Sequence, residues 1–394
     1  MTTHRSRDFD ANRAALAALL NDRTDDAAQA FARIDSVSVA AFVTANKLEF
    51  QISPLLGNPT LQRSFAPEHV RAIETHREEQ RERQGHLLDE LWFLADTLEA
   101  AGIPFILLKG LYFADVFYGG IENRFSWDLD VLVRTDDARQ VDRVLRRRGY
   151  FRRSAVLVSR ALTARFTHAF DYGNVRPRFS VDLHWLLSRH PSFRVDEAAI
   201  WASRKPYTLF DRRFDVLSHE YEIVSNALST FRDIQRGAIR LRAFVDLFRV
   251  LEVADGTIDW NQFLVHRRNE RIAAVTVNVL ALVLDLLECR DRFHGAAGMV
   301  AAARDLVVPL PDGGAATFFE PGTAAMANRD WTSRVYECSR FRVATWWLFS
   351  LPFRMAVYRS GRRYAIFKRR LHVLKARARG RTLETAPVVR RPMR

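Results

Sequence analysis

Cysteine is scarce in this 394-residue chain, which holds only Cys289 and Cys338. Two cysteines exclude a disulfide framework and a cysteine-rich zinc site, and they are typical of a reducing compartment. Long apolar runs are lacking as well, because the longest one, Ile272 to Leu284, is well short of the roughly 20 residues that span a membrane. No apolar segment typical of a signal peptide follows the N-terminus. We therefore expect a soluble cytoplasmic protein, and 48% hydrophobic residues are enough for a substantial core.

Several common catalytic patterns are also absent. The 11 histidines show no ligand spacing with cysteine or glutamate, and the chain has neither a Gly-x-Ser-x-Gly sequence nor a phosphate-loop Gly-Lys-Ser/Thr sequence. These absences exclude the zinc hydrolases, the nucleophile-elbow hydrolases and the phosphate-loop NTPases that those patterns mark.

The net charge of +14 is concentrated at the C-terminus. Residues 340–394 hold 16 lysines and arginines against one acid, Glu384, whereas the first 339 residues carry 44 basic and 45 acidic residues. Aromatic residues such as Trp346 and Trp347 are interleaved with these arginines. This composition suits an anionic membrane surface, which would make the protein membrane-peripheral, or a nucleic acid, with residues 340–381 as the contact. The alternative is a helix that packs its aromatic side chains on the body of the protein.

The hydrophobic period changes along the chain and divides it into segments. Apolar residues recur every three or four positions up to about residue 100, short apolar runs follow, and helical spacing returns after about residue 215. A run rich in proline and glycine then precedes the basic tail. We predict a helical leader (1–100), a sheet-containing core (101–215), a helical domain (216–308), a loop or hinge (309–339) and a basic aromatic tail (340–394).

The sequence Trp127 to Val133 holds the most informative pattern, an Asp-Leu-Asp triplet within an apolar run. Residues i and i+2 of a β-strand project from one face, so Asp128 and Asp130 point the same way, about 6 to 7 Å apart. Two carboxylates this close repel each other unless a cation lies between them. Magnesium accepts a few carboxylate oxygens and keeps its other positions for water and phosphates. The triplet therefore predicts half of a divalent-metal site, although a solvated strand edge or a calcium ligand is an alternative.

Two further patterns accompany the triplet. An apolar strand predicted at 103–108 ends in Lys109-Gly110, and the alternating run from Phe179 to Trp185 places Asp182 and His184 on one face of a later strand. Between them, the segment 136–148 is predicted to be a helix because it begins with acids and ends in arginines before a glycine.

These motifs, in this order, resemble the DNA polymerase β-like nucleotidyltransferase superfamily. Within it, the chain is most similar to an uncharacterised bacterial group, over about residues 85–290. The motifs that carry the resemblance are Leu108-Lys109-Gly110, Arg124, Asp128-Leu129-Asp130-Val131-Leu132-Val133 and Asp182-Leu183-His184-Trp185. With the periodicity above, the resemblance implies an α+β fold, in which a small mixed sheet is flanked by an N-terminal helical region and a C-terminal helical bundle.

The resemblance also implies a metal centre. Asp128 and Asp130 would hold two magnesium ions that bridge the phosphates of an NTP, and Asp182 would complete the second metal site and help to deprotonate an acceptor hydroxyl. Asp182 is alternatively a surface carboxylate. His184 lies on the same face and is predicted to orient or pack rather than to act as a base, because two-metal chemistry does not require one.

Phosphate contacts are implied at three positions. Lys109 and Arg124 would neutralise the triphosphate, and Gly110 would let the backbone approach it. Lys109 alternatively only caps the sheet edge, and Arg124 alternatively pairs with Asp128 or Glu122.

The chain departs from the superfamily in places. Gly110-Leu111 stands where Gly-Ser is usual, and Trp127 fills a position that is usually small, where it would crowd the nucleotide or stack on its base. The helical region offers Ser225, Ala227 and Ser229 where histidines are usual.

The sequence therefore predicts a magnesium-dependent nucleotidyltransferase that moves an NMP from an NTP to an acceptor and releases pyrophosphate. The acceptor, which would be a small molecule, a peptide or a nucleic acid, is not identified by the sequence. The alternatives are a catalytically inactive nucleotide-binding or scaffold protein, and a peripheral membrane or nucleic-acid binder that acts through its tail.

Overall fold

The computed structural model describes residues 2–52, 56–63, 65–152, 168–174, 180–188, 193–311, 314–319 and 324–336. The basic aromatic tail predicted at 340–394 lies outside these residues, as do parts of the predicted hinge at 309–339 and of the predicted sheet-containing core at 101–215. The predictions for those parts stay predictions.

The described residues form a seven-stranded mixed sheet. Its strands are β1 (Phe105–Leu107), β2 (Asp128–Val133), β3 (Tyr150–Arg152), β4 (Ala169–Asn174), β5 (Ser180–His184), β6 (Lys205–Leu209) and β7 (Arg212–Val216). They lie in the order β3-β4-β5-β2-β1-β7-β6, with β2 at the centre. β2 runs parallel to β5 and β1 runs parallel to β7, whereas the other neighbours are antiparallel.

Helices precede, interrupt and follow the sheet. They are α1 (Thr2–Leu20), α2 (Thr24–Ala32), α3 (Ser36–Asn46), α4 (Glu49–Ile52), α5 (Pro59–Gln62), α6 (Pro67–Glu99), α7 (Leu111–Tyr118), α8 (Ala138–Arg147), α9 (Glu197–Ser203), α10 (His219–Arg236), α11 (Leu241–Ala254), α12 (Trp260–Asn269), α13 (Ala273–Leu286), α14 (His294–Ala302) and α15 (Ala324–Val335). This arrangement confirms the predicted α+β class, with α1 to α6 before the sheet and the bundle of α10 to α14 after it.

The predicted helix at 136–148 forms as α8 and shows how local chemistry sets an element. Arg146 and Arg147 lie in its last turn, where they complement the negative end of the helix dipole. The chain then leaves the helix through Gly149, whose φ of 89° is a conformation that side chains disfavour. β3 begins at the next residue, so the turn returns the chain to the sheet edge.

The longest apolar run of the sequence forms α13, at the centre of the helical bundle. Of its 14 residues, only Asp285 is exposed, and the helix packs against α10, α11 and α14. A helix that is apolar all round is expected where neighbours cover every face. No helix in the described ranges is long and apolar enough to cross a membrane.

The arginine-rich segment from residue 193 to 216, at the end of the predicted core, forms a helix and two strands. Asp196 caps α9 by accepting a hydrogen bond from the Ala199 amide, and the hairpin β6–β7 extends the sheet beyond β1. The sequence gives little signal for β7 because the strand begins with Arg212 and Arg213, and only Phe214 and Val216 are buried. Its parallel pairing with β1 comes from tertiary contact rather than from a local signal.

Candidate active site

The sheet register brings two of the predicted aspartates together. Asp128 and Asp130 are two residues apart on β2, and Asp130 is the direct neighbour of Asp182 on the parallel strand β5. Paired residues on adjacent strands lie on the same face, with strands about 4.8 Å apart. The spacing seen in the sequence thus becomes a cluster at the centre of the sheet.

His184 completes this cluster. Ligand atoms of Asp130, Asp182 and His184 all lie within 4.8 Å of one another. The His184 Nε2 atom is 3.0 Å from Asp130 Oδ1, and its Nδ1 atom is buried with no hydrogen-bond partner among the described residues. Asp128 is not part of this group, so the closest set of ligands contains an imidazole nitrogen as well as two carboxylates. Such a set suits Mg²⁺ or Mn²⁺, and the nitrogen favours the transition metal.

The two aspartates of β2 ionise differently. Burial, together with the negative charge of Asp130, raises the pKa of Asp128 to about 7. Burial also opposes ionisation of Asp130, but the hydrogen bond from His184 and the nearby charges of Lys109 and Arg124 outweigh it and lower the pKa of that carboxyl. A cation beside both groups would offset the burial and the repulsion that raise the pKa of Asp128.

A further carboxylate, missed in the sequence, lies in the same row. Asp171 on β4 is the register partner of Asp182, so Asp130, Asp182 and Asp171 follow one another across three strands on one face. The sequence did contain a signal for this strand, because Asp171 lies between two aromatic residues, Phe170 and Tyr172. The side chains of both are buried. The sequence does not show that β4 belongs to this site, because that follows only from the pairing of β4 with β5.

The backbone at Gly110 approaches β2 closely. Gly110 has a φ of 80°, and a Cβ atom there would lie 3.5 Å from the backbone oxygen of Asp128. That distance is an ordinary van der Waals contact, but the positive φ disfavours any residue with a side chain. Gly110 also caps the N-terminus of α7, so backbone amides face the region where phosphates were predicted.

Lys109 is partly buried at the same place. It makes no hydrogen bond or salt bridge with any described residue, in contrast to most of the charged groups around it. Burial lowers the pKa of its ammonium group, while the charges of Asp130 and Asp246 raise it. Lys109 is therefore available to a ligand, as its predicted phosphate role requires.

Arg124 pairs with Asp246, and not with Asp128 or Glu122, which were the two alternatives predicted from the sequence. It is 5% exposed, and its Nε and Nη2 atoms each donate a 2.8 Å hydrogen bond to one carboxylate oxygen of Asp246 on α11. This pairing lowers the pKa of Asp246 to about 2 despite its burial. Arg124 also donates to Ser126 Oγ at 3.2 Å. Most of its charge is thus compensated within the protein.

Two cavities flank the aspartates of β2. The first, of about 280 Å³, is called the Trp127 cavity, and its lining includes three basic residues absent from the predicted set: Lys47, Arg240 and Arg242. The second, of about 210 Å³, is called the Asp182 cavity, and its lining includes Asp182, His184, Ser225 and Arg232. The two cavities share Lys109, Asp128, Asp130 and Ser229.

The predicted site residues are therefore divided between these cavities. Gly110 and Arg124 line the Trp127 cavity, whereas Asp182 and His184 line the Asp182 cavity. A cavity of about 800 Å³, lined by residues of α9, α10 and α12, contains none of the predicted residues.

Trp127 lies at the wall of the first cavity and is 43% exposed. The Arg83 guanidinium carbon is 4.0 Å from the centre of its ring system, and Phe125 meets it edge to face with ring centroids 4.7 Å apart. Trp127 is absent from the described lining of the Asp182 cavity. The carboxylates can therefore be reached from that side without passing the indole.

The three positions where histidines are usual have different surroundings. Ser225 and Ser229 both line the Asp182 cavity, whereas Ala227 is fully buried in the core. A histidine outside every sequence motif, His168, lies nearby instead, with its ring centroid 5.9 Å from that of His184. Burial, with the positive charges around it, lowers the pKa of His168 to about 3.

Comparison with known proteins identifies the family of the chain. No curated protein matches the chain. The model of a protein family described as "Uncharacterised nucleotidyltransferase" matches residues 41–288, which is more than half of the chain and includes all seven predicted site residues. The match also covers Lys47 and the helices α10 and α11, which contribute to the cavity walls. The chain belongs to this family of nucleotidyltransferases.

Proposed function

We propose that the protein is a divalent-metal-dependent enzyme that transfers an NMP from an NTP to an acceptor hydroxyl or phosphate and releases pyrophosphate. One observation carries the proposal. Asp130, Asp182 and His184 gather their ligand atoms within 4.8 Å in the Asp182 cavity, and Asp130 also lines the Trp127 cavity, so the cluster adjoins two spaces that suit a donor and an acceptor. Family membership supports the same reaction class.

The donor fits the Trp127 cavity. Lys47, Arg240 and Arg242 supply positive charge for the phosphates, and no described carboxylate lies within salt-bridge distance of any of the three. Burial, with the positive charges of Arg242 and Arg240, lowers the pKa of Lys47, and the opposing charges of Glu49 and Asp128 do not offset this effect. An exposed indole in the same wall offers a surface for the base.

The residues that would hold the metal also fit. Asp130 and Asp182 offer carboxylate oxygens, Asp128 adds a third when it ionises, and His184 offers nitrogen. The bound metal would neutralise charge that develops on the transferred phosphoryl group and on the leaving pyrophosphate. The two predicted magnesium ions are retained in the proposal as the family's pattern, and Mn²⁺ is an alternative that the imidazole nitrogen permits.

The protein groups have defined tasks in the transfer. The acceptor oxygen forms a bond to the α-phosphorus as the bond from that phosphorus to the bridging oxygen breaks, and the electron pair leaves with pyrophosphate. Asp182 accepts the proton of an acceptor hydroxyl. Lys109, which lines both cavities, is placed to hold the transferred phosphoryl group between them.

The test is transfer of label from NTP. Purified protein is incubated with each α-³²P-labelled NTP, Mg²⁺ or Mn²⁺ and a panel of acceptors, and labelled product and pyrophosphate are measured together. Asp130→Asn and Asp182→Asn should abolish both, while Asp136→Asn, an exposed carboxylate in the turn after β2, should leave both unchanged. Equal product from wild type and the two site variants would contradict the proposal.

A second candidate is an inactive nucleotide-binding protein, and the Arg124–Asp246 pair favours it over an active enzyme. An arginine neutralised within the protein is less able to stabilise charge that develops during transfer, while Lys47, Arg240 and Arg242 still suit the binding of a nucleotide. This candidate predicts that NTP binds to wild type, with a dissociation constant measurable by calorimetry, but that no acceptor receives label.

Binding through the basic tail is a separate prediction. Deleting residues 340–394 should abolish binding to anionic liposomes or to an oligonucleotide if the tail acts on either. Unchanged binding after the deletion would exclude this role.

A further inference from the structure

Arg232 lies on α10 and reaches the Asp182 cavity, whose lining also includes Asp182 and His184. None of the sequence motifs includes it. Its side chain is partly buried. Its hydrogen-bond partners differ in charge from the ion-pair partners of the buried arginines Arg124 and Arg267.

The partners of Arg232 carry no negative charge. Its Nη1 atom is 3.0 Å from His168 Nε2, and its Nη2 atom is 3.2 Å from Ser229 Oγ. A guanidinium group only donates, so His168 Nε2 must accept, and its ring is neutral in this arrangement. The Nε atom of Arg232 is buried and has no hydrogen-bond partner among the described residues.

Two other buried arginines of the protein are each paired with a carboxylate. Arg124 pairs with Asp246, and Arg267 lies 2.6 Å from the Glu270 carboxylate. Within the described part of the chain, no carboxylate is within salt-bridge distance of Arg232. Burial of a charge without a counterion is costly, and burial indeed lowers the pKa of Arg232.

Longer-range charges do not remove this imbalance during the proposed reaction. Asp233, Asp130 and Asp182 favour the charged form of Arg232, though none is in contact with it. A divalent cation at Asp130 and Asp182 would cancel their contribution. The cavity would then hold a guanidinium group with a free Nε donor and no described carboxylate in contact with it, and Asp233 would remain as a longer-range favourable charge.

We propose that Arg232 binds an anionic group, a phosphate or a carboxylate, on the acceptor. This inference rests on the proposed function and adds the chemical class of its acceptor. Guanidinium groups bind both kinds of oxyanion through paired hydrogen bonds. The cavity volume of about 210 Å³ is below the range usual for drug-sized ligands, so it admits a small acceptor or the end of a larger one.

The donor does not account for Arg232. The Trp127 cavity has its own cations, Lys47, Arg240 and Arg242, and Arg232 is not among its lining residues. Arg242 therefore provides a matched control, because it is a partly buried arginine of the other cavity.

The first experiment measures anion binding without turnover. The protein is saturated with Mg²⁺ and an NTP analogue whose α,β-bridging oxygen is a methylene group, and inorganic phosphate or acetate is then titrated in by calorimetry. Arg232→Gln should weaken binding of phosphate or of acetate about tenfold or more, while Arg232→Lys should retain part of it. Whichever of phosphate and acetate binds more tightly identifies the class of anionic group that Arg232 recognises.

Two controls keep the result interpretable. Arg242→Gln should weaken the NTP analogue and leave the binding of the titrated anion unchanged. Arg232→Gln should still bind the NTP analogue as wild type does, which shows that the variant is folded. Anion binding that is equal in wild type and Arg232→Gln, or that is lost equally in Arg242→Gln, would overturn the inference.

The second experiment tests the acceptor directly with three related alcohols: glycerol, glycerate and glycerol 3-phosphate. The labelled NMP should be transferred from the NTP to one or both anionic alcohols at least tenfold faster than to glycerol, with release of pyrophosphate, and Arg232→Gln should remove that preference. A preference that survives in Arg232→Gln, or transfer to glycerol at an equal rate, would contradict the role of Arg232. Absence of any transfer, with Arg232-dependent anion binding intact, would contradict the proposed function and not the anion site.

Discussion

Arg124 and Asp246 form a buried ion pair in which two hydrogen bonds of 2.8 Å join the two charged groups, 122 residues apart in the chain. Arg124 belongs to the segment that leads into β2, and Asp246 belongs to α11 in the helical bundle. The pair therefore fixes the bundle against the strand that carries the aspartates. Tyr118 also donates a 2.6 Å hydrogen bond to Asp246, which adds α7 to the same junction.

Removing one partner of this pair should destabilise the protein strongly. Asp246→Asn leaves the Arg124 guanidinium buried without a counterion, and we expect a loss of about 3–5 kcal/mol in the free energy of unfolding, measured by urea denaturation. Asp285→Asn breaks the exposed pair with Arg290 and should cost about 1 kcal/mol or less. Similar losses in the two variants would show that the buried pair has no special role. The double variant Arg124→Met/Asp246→Leu should recover much of the loss.

Cation binding should depend on His184 as well as on the carboxylates. We expect His184→Gln to weaken Mn²⁺ binding about 10- to 100-fold, because it removes a nitrogen ligand or the group that orients Asp130. Binding is measured by the loss of the free Mn²⁺ signal in electron paramagnetic resonance. Asp182→Asn should weaken it further, and Asp136→Asn should not change it. Unaltered binding in His184→Gln would place the ion away from the cluster of Asp130, Asp182 and His184.

The free energy of unfolding should decrease as pH rises, because of Glu222. This fully buried carboxyl accepts a hydrogen bond from Tyr112, and burial raises its pKa to about 8. In the unfolded chain, Glu222 releases its proton near pH 4.3, whereas in the folded protein it keeps the proton to about pH 8. The unfolded state therefore binds fewer protons between these values, and the free energy of unfolding decreases as pH rises through that window.

The comparison of wild type with Glu222→Gln isolates this effect. The variant cannot ionise, so its stability relative to wild type should rise between about pH 4 and pH 8 and level off above it. Urea denaturation at pH 5, 6.5 and 8 measures the difference. Glu74→Gln, at an exposed position of α6, should show no such trend. A difference that does not vary with pH would mean that Glu222 ionises normally in the folded protein.

Trp127 should contribute to nucleotide binding. If its exposed ring surface stacks on the base, Trp127→Ala should weaken NTP binding about 5- to 150-fold, which corresponds to about 1–3 kcal/mol of stacking, and Trp127→Phe should retain most of it. Calorimetric titration with a non-hydrolysable NTP analogue provides the measurement. Tighter binding by Trp127→Ala would instead show that the indole crowds the nucleotide.

The sequence predicted the parts of the site that lie on strands. A period of two placed Asp128 with Asp130 and Asp182 with His184, and the structure then aligned the two strands so that Asp130 and Asp182 are neighbours. Such predictions succeed because side-chain direction along a strand follows from local geometry alone.

The parts of the site on helices were not predictable in the same way. Arg232 and Asp246 are polar residues on helices, and their roles depend on which face each helix presents to the sheet. Asp246 did leave a signal, because it is a lone acid between Val245 and Leu247 on a helix with a buried apolar face. Such a position requires a partner, but the sequence does not identify Arg124 as that partner.

The central place of β2 has a consequence for motion. It stands fourth of seven in the sheet order, with three strands on either side, so it cannot separate from the sheet unless its pairs with both β5 and β1 break together. Local opening begins at edges and ends, where fewer bonds must break. The aspartates of β2 are thus expected among the last groups of the molecule to open, and their carboxylates should keep their spacing while a ligand binds and leaves.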